Sequence, residues 1–274
     1  MELYQRLISS IESRIGVALI TVTRIDLHDP NHYWQLTEFT VGTKLLVYAS
    51  GNVFCEKELA MEDWQPLLEN AKMALANQKS HTCISQIKSC EIEYFVDVYP
   101  QPLHLIVVGA GHVAKPLVEM GNKLGFYITV ICDRPQFANN EQFPWADEVV
   151  CRPYTEYFRN LDISDRPYIL LLTRGHQYDV AILREILHLS VPYIGMIGSR
   201  RRISGVFSQL HEDLPDVGFQ HVYAPIGLDI GAQTPEEIAI SVLAEILRVK
   251  NQKSGRSLKE EVRHFIVDRQ VEEE

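Results

Sequence analysis

Residues 103–114 read Leu-His-Leu-Ile-Val-Val-Gly-Ala-Gly-His-Val-Ala. The first six are apolar apart from His104, the pattern of a short strand buried on both faces, as in a parallel sheet. Gly109-Ala110-Gly111-His112-Val113-Ala114 then fits G-x-G-x-x-G/A, with Ala114 in the third small position. Val113, Leu117, Met120 and Leu124 follow at helical spacing. In such a strand–loop–helix unit the first glycine permits the tight turn, and the second lets a phosphate approach the backbone. The helix N-terminus adds free N–H groups and a partial positive charge. The stretch predicts a phosphate-binding loop. A tight strand-to-helix turn without a ligand is the alternative, and the loop alone does not say whether the ligand is a dinucleotide.

Downstream, the same alternation continues. A second strand spans 127–132 and ends at Asp133, about 20 residues past the glycines, where an acid often holds a ribose hydroxyl. Arg134 beside it could instead meet a phosphate. Further strands are expected at 168–172, 193–197 and 222–224, with Val180, Leu183, Ile186 and Leu187 marking a helix between the first two. Thr234, Pro235 and Glu237 form the start signal of a last helix, a Thr-x-x-Glu capping box with proline at the first helical position. Alternating strands and helices argue for a Rossmann-like α/β domain: a parallel sheet with helices on both faces.

Ligands of such sheets bind beyond the carboxyl ends of the strands. Three more polar segments fall there: Thr173-Arg174-Gly175-His176, Gly198-Ser199-Arg200-Arg201-Arg202, and the segment 225–231 with Asp229. Arginines at a helix N-terminus suit an oxyanion, although Arg200 to Arg202 also fit a solvated surface. His112 and His176 are candidates for acid–base groups or metal ligands meeting across the cleft, or else hydrogen-bonded loop residues. Asp179 reads as a cap for the helix that follows it.

Upstream, 1–99 reads as a smaller N-terminal α/β domain. Leu3, Leu7, Ile8 and Ile11 have helical spacing, 17–22 and 43–48 are strand candidates, and Trp64, Leu67, Leu68, Ala71 and Leu75 mark a second helix. Ile92, Tyr94, Val96 and Val98 alternate with Glu91, Glu93, Phe95 and Asp97 as a strand with one mostly polar face. Pro100-Gln101-Pro102 resists both helix and ladder and sets the boundary. The Rossmann-like domain then occupies 100–250, and 251–274 is a charged tail. Cys55-Glu56, after the Gly51 turn, is a candidate ligand, sulfur carrier or structural thiol.

The balance of 36 acidic against 26 basic residues, a net charge of -10, opposes general nucleic-acid binding. No apolar run approaches the ~18 residues of a membrane span, and the N-terminus lacks a signal-peptide pattern. A soluble, cytoplasmic protein is expected. Five cysteines without a C-x-x-C favour free thiols and no structural metal site. Cys132 and Cys151, each after a short apolar run, read as strand-end packing residues.

Taken together, the segments VVGAGHVAKPL, ICDRPQFANNEQFP, LLTRGHQYDVAIL, YIGMIGSRRR and APIGLDIGAQTPEEIAISVLAEIL, over about 150 residues in order, resemble the xanthine dehydrogenase accessory family, also called the XdhC/CoxI family. The resemblance implies a chaperone that binds molybdenum cofactor (molybdopterin), favours its sulfurated form and helps deliver it to an apoenzyme. It implies a molybdenum hydroxylase such as xanthine dehydrogenase as client and a cysteine desulfurase as partner, with a homodimer left open. Carried over by motif, Gly109, Gly111, His112, Asp133, Arg134, Arg174, His176, Ser199 and Arg200 would line the cleft, with Val113 and Asp229 as further binding candidates. His112, His176 and Cys55 are the candidates for chemistry. The N-terminal part departs from the family pattern: Cys55-Glu56 remains, but the glycines before it and a Ser-Pro-Arg stretch do not. Two other readings stand beside this one: an NAD(P)-dependent oxidoreductase built on the same glycine loop and Asp133, and one of the subunits of a xanthine dehydrogenase.

Overall fold

The computed structural model describes residues 2–27, 40–57, 61–87, 90–215 and 218–259, with the backbone alone at 61–63. Most of the expected charged tail, from residue 260 on, lies outside the described residues. The chain divides into two compact units, Met1–Pro102 and Leu103–Glu274.

The first unit contains α1 (Glu2–Glu12), β1 (Val17–Leu27), β2 (Lys44–Tyr48), β3 (Val53–Cys55), α2 (Met61–Asn77), β4 (His81–Ile87) and β5 (Cys90–Tyr99). Its five strands form an antiparallel sheet in the order β3-β2-β1-β5-β4. One face is sealed by α2, where Trp64, Leu67, Leu68 and Ala71 meet Ile20, Leu45, Ile92 and Tyr94. On the other face, Leu3 and Leu7 of α1 cover Val17, Leu19 and Leu46. The alternation read in β5 is real: Ile92, Tyr94 and Val96 are buried, and Phe95 on the other face is exposed. β3 has only three residues and β4 is mostly polar, so neither stands out by periodicity, and pairing with longer neighbours makes them strands.

The second unit contains β6 (His104–Val108), α3 (Ala114–Lys123), β7 (Tyr127–Cys132), β8 (Glu148–Cys151), α4 (Tyr154–Arg159), β9 (Tyr168–Leu171), α5 (His176–Ile186), β10 (Tyr193–Met196), α6 (Arg200–Asp213), β11 (Val222–Tyr223) and α7 (Pro235–Lys250). The six strands are parallel, in the order β11-β10-β9-β6-β7-β8. Every β6 residue is buried because helices cover both faces. Leu105 and Val107 pack with Leu117 of α3 and Val242 and Ile246 of α7. Ile106 and Val108 pack with Phe158, Leu183 and Val206, from α4, α5 and α6. Leu124 shares the helical spacing of α3 but is 49% exposed, because the helix ends one residue earlier.

The chain passes from β6 outward to β7 and β8, then returns to the other side of β6 as β9. That reversal opens a crevice at the carboxyl ends of β6 and β9, the place where open parallel sheets bind ligands. A buried carboxylate and a stack of tyrosine rings fix the far side of the sheet. Tyr193 of β10 donates to Glu245 of α7 at 2.6 Å, and the same carboxylate accepts the Gly227 N–H at 2.9 Å. The Tyr193 ring stacks on Tyr223 at 4.5 Å and on Tyr168 at 5.9 Å. Helix α7 is thereby joined to β10 and to the loop after β11.

The start of α7 follows its sequence signal. Thr234 Oγ1 accepts the Glu237 N–H at 3.2 Å, and Glu237 Oε2 accepts the N–H groups of Gln233 and Thr234 at 2.7 and 3.0 Å. These two backbone donors hold the Glu237 carboxyl below its ordinary value. Thr234→Ala removes the side-chain acceptor and is expected to cost about 1 kcal/mol of stability. Urea unfolding reads this as a lower midpoint, with Thr234→Ser close to wild type.

Candidate functional site

Three strand ends and two helices converge on a cleft of about 210 Å³ at this switch point. The loop after β6 supplies Gly109, Ala110 and Gly111, the end of β7 supplies Asp133 and Arg134, and the end of β9 supplies Thr173 and Arg174. Tyr154 of α4 and Tyr178 of α5 close one side, packed edge to face with ring centroids 5.6 Å apart.

The two loop glycines have different reasons. Gly109 has φ +108°, and a Cβ there would sit 2.6 Å from the Leu172 carbonyl oxygen. Both the backbone conformation and the close approach of β9 exclude a side chain. Gly111 has neither constraint: an added Cβ would meet no atom within 4 Å. Packing does not require glycine at 111, so its bare backbone leaves open space beside the start of α3, where N–H groups lack helical partners.

The cleft is electrostatically mixed. The Arg134 and Arg174 guanidiniums both face the Phe137 ring, 4.3 and 5.4 Å from its centroid. They bring two cations from different strands to one platform. Asp133 is the carboxylate of the wall, with Oδ1 3.9 Å from Arg134 Nε. The same oxygen accepts the Tyr154 hydroxyl at 3.3 Å. Burial, with Cys132 and Asp133 close by, pushes the Tyr154 phenol well above its ordinary value, so it stays a neutral donor. Arginines, backbone N–H groups at a helix start and one carboxylate suit a ligand with an anionic group and a hydroxyl or amino donor.

Of the residues singled out in the sequence, Gly109, Gly111, Asp133, Arg134 and Arg174 come together on this wall. Val113 instead packs against the core. His112 and His176 are exposed, and neither lines the cleft. His176 begins α5 and lies beside Gly205 of α6, where an added Cβ would be 3.7 Å from its Nε2. Ser199 caps α6 by accepting the Arg202 N–H at 3.3 Å. Arg200 and Asp229 are exposed and outside this wall. Cys55 belongs to the first unit, where its Sγ donates to the Lys44 carbonyl at 3.4 Å. It borders another cleft, of about 340 Å³, with Lys44, Glu56 and Lys57.

Asp179 is not the cap its position suggested. Gly175 occupies the cap position of α5 without a side-chain bond, and Asp179 is fully buried inside the helix. It accepts from Thr173 Oγ1 at 2.5 Å and from Arg202 Nε and Nη2 at 2.9 and 2.5 Å. Arg202 Nη2 also donates to the Thr173 carbonyl at 3.1 Å. Burial pushes the Asp179 carboxyl up, against the pull of Thr173 and Arg202. This network sets the backbone of the loop that carries Arg174 into the cleft.

Tyr154, Tyr178 and Phe137 were not read from the sequence. Tyr154 and Phe158, four apart after Pro153, are the one signal of α4, but a helix of six residues is too short for periodicity to register. Among the described residues, no group of three or more His, Cys, Asp or Glu is placed to hold a metal ion, and no helix is long and apolar enough to cross a membrane.

A family model described as the XdhC Rossmann domain matches residues 105–246. The uncharacterized protein YqeB of Escherichia coli K12 is 30% identical over 233 residues, which are 82% of this chain and 42% of YqeB. A Bacillus subtilis 168 protein, named as one of the probable subunits of a xanthine dehydrogenase, is 27% identical over 235 residues, 86% of this chain and 62% of that protein. The chain thus spans about half the length of the curated relatives it matches. A solved Bacillus halodurans structure described as a xanthine dehydrogenase aligns with a TM-score of 0.54 at 19% identity, covering 92% of this chain and 98% of that one. That likeness is one of fold.

Proposed function

The chain belongs to the XdhC family, and from that premise we propose that it binds molybdenum cofactor in the cleft beside Gly111 and serves as an accessory protein in the maturation of a xanthine dehydrogenase-type molybdenum hydroxylase. The observation that carries the reading is the open space at Gly111. A glycine that packing does not require leaves bare N–H groups beside two arginines, Arg134 and Arg174. Molybdopterin carries a phosphate, which suits the helix start and the guanidiniums. Its pterin amino and ring N–H groups offer donors that suit the Asp133 carboxylate.

In this role the chain's residues bind and orient. Gly109 to Gly111 seat the phosphate, Arg134 and Arg174 neutralise it, and Tyr154 orients the Asp133 carboxylate. The bound cofactor would supply the molybdenum chemistry to the client enzyme. Sulfuration, with a cysteine desulfurase as donor, is the finer part of the proposal.

The test is to purify the full chain from cells that make molybdenum cofactor and identify the released pterin by fluorescence after oxidation and by mass spectrometry. Stoichiometric pterin supports the reading. Its absence, with the chain also failing to take up cofactor released from a molybdenum enzyme, overturns it. Asp133 at the end of β7 favours a second reading, a nicotinamide dinucleotide held by its ribose. Micromolar binding of NADH or NADPH with turnover, and no pterin, selects that one.

A further inference from the structure

Cys132 and Cys151 end adjacent strands at the same level of the C-terminal sheet. The parallel register of β7 and β8 pairs Thr129 with Glu148, Val130 with Val149, Ile131 with Val150 and Cys132 with Cys151. Residues paired in this way project from one face of the sheet. Three residues earlier the pairing shows directly, where the Thr129 hydroxyl reaches Glu148 Oε2 at 3.4 Å. Val130, Cys132 and Val149 all join the apolar cluster beneath α3 and α7, which places the two thiols on that side. Neighbouring strands lie about 4.8 Å apart, inside the ~4.4–6.8 Å range of Cα separations that a disulfide spans. Each cysteine is the last residue of its strand, so the side-chain and backbone adjustment that a bond requires falls at a strand end and not in mid-ladder.

The two thiols differ in access. Cys151 is exposed and Cys132 is buried. Cys132 Sγ donates to Asp133 Oδ1 at 3.9 Å, the oxygen that also accepts from Tyr154 in the cleft wall. An accessible thiol, a buried partner beside it and a carboxylate in reach of the buried proton are the parts of a thiol–disulfide exchange site.

We propose that Cys132 and Cys151 form a redox-active pair that closes into a disulfide beside the cleft when the chain meets a low-molecular-weight disulfide. The Cys151 thiolate attacks one sulfur of that oxidant, its S–S bond breaks, and one thiol leaves with a mixed disulfide on Cys151. Cys132 gives its proton to Asp133 and attacks Cys151 Sγ, expelling the second thiolate, which takes up the proton. Two protein thiols are oxidised and one small disulfide is reduced to two thiols.

The experiment equilibrates the full chain with glutathione redox buffers, caps free thiols with iodoacetamide under denaturing conditions and maps the peptides by mass spectrometry. The expected product is a Cys132–Cys151 link that dithiothreitol reverses, with Cys55, Cys83 and Cys90 capped. In Cys132→Ala, glutathione should remain on Cys151. In Cys151→Ser, Cys132 should stay a capped thiol, because burial denies it the oxidant. Glutathione stably retained on Cys151 of the wild-type chain, with Cys132 capped, overturns the proposal. So does the absence of any oxidation of the pair across the series.

Discussion

Gly111→Asp is expected to abolish pterin copurification while leaving the fold intact. The wild-type loop offers open space at this position, so the new side chain meets no atom of the protein within contact distance of its Cβ. Its carboxylate would occupy the place where an anionic ligand approaches the start of α3. Two like charges about 4 Å apart repel by about 4 kcal/mol at an effective dielectric near 20. That corresponds to roughly a thousandfold loss of affinity. The control is the unfolding midpoint, which should move little. A variant that retains cofactor at wild-type occupancy would show that the ligand does not use this loop. Gly109 is unsuited to the same test, because any side chain there collides with Leu172 and reports on folding.

Arg202→Ala is expected to be the most destabilising single change in the site region. It strips the buried Asp179 carboxylate of its cationic partner, and truncating one member of such a pair costs about 3–5 kcal/mol. Arg200→Ala and Arg201→Ala, both exposed, should stay within about 0.5 kcal/mol of wild type. Denaturant unfolding of the three variants tests the contrast. The pH dependence has a definite sign. Burial already raises the Asp179 carboxyl, and loss of Arg202 raises it further. A raised carboxyl favours the protonated folded form, so the deficit is largest above its pKa and shrinks as pH falls through it. Equal losses for all three arginines, or a deficit that grows on acidification, would contradict this account. Loosening of the Thr173–Arg174 loop should also weaken ligand binding, through Arg174, in conditions where the variant remains folded.

Most of the architecture was legible from local rules. Continuous apolar runs such as 105–108, followed by a glycine turn, admit little but a buried strand, and the Thr234–Glu237 signal names its helix start. Short elements were not legible. β8, with four residues, and α4, with six, carry too little pattern, and they exist because β7 and the core give them something to pack on. The site divides along the same line. Gly109, Gly111, Asp133, Arg134 and Arg174 share a cleft because each directly follows a strand of one parallel sheet, and the rule for such sheets brings those ends together. His112, His176, Ser199, Arg200 and Asp229 follow strand ends too, yet helix phase and loop direction turn their side chains elsewhere. Sequence spacing does not carry that information.

The sequence by itself determined the parallel sheet, its helices on both faces and the tight strand-to-helix turn at Gly109–Gly111, because hydrophobic period and glycine placement are local properties. Tertiary structure alone decided which arginine of Arg200 to Arg202 turns inward to Asp179. It also decided that Phe137 receives two guanidiniums, and that Cys132 and Cys151, 19 residues apart in the chain, are paired across adjacent strands. Each of these depends on register and side-chain direction between distant segments, which form only when the sheet assembles.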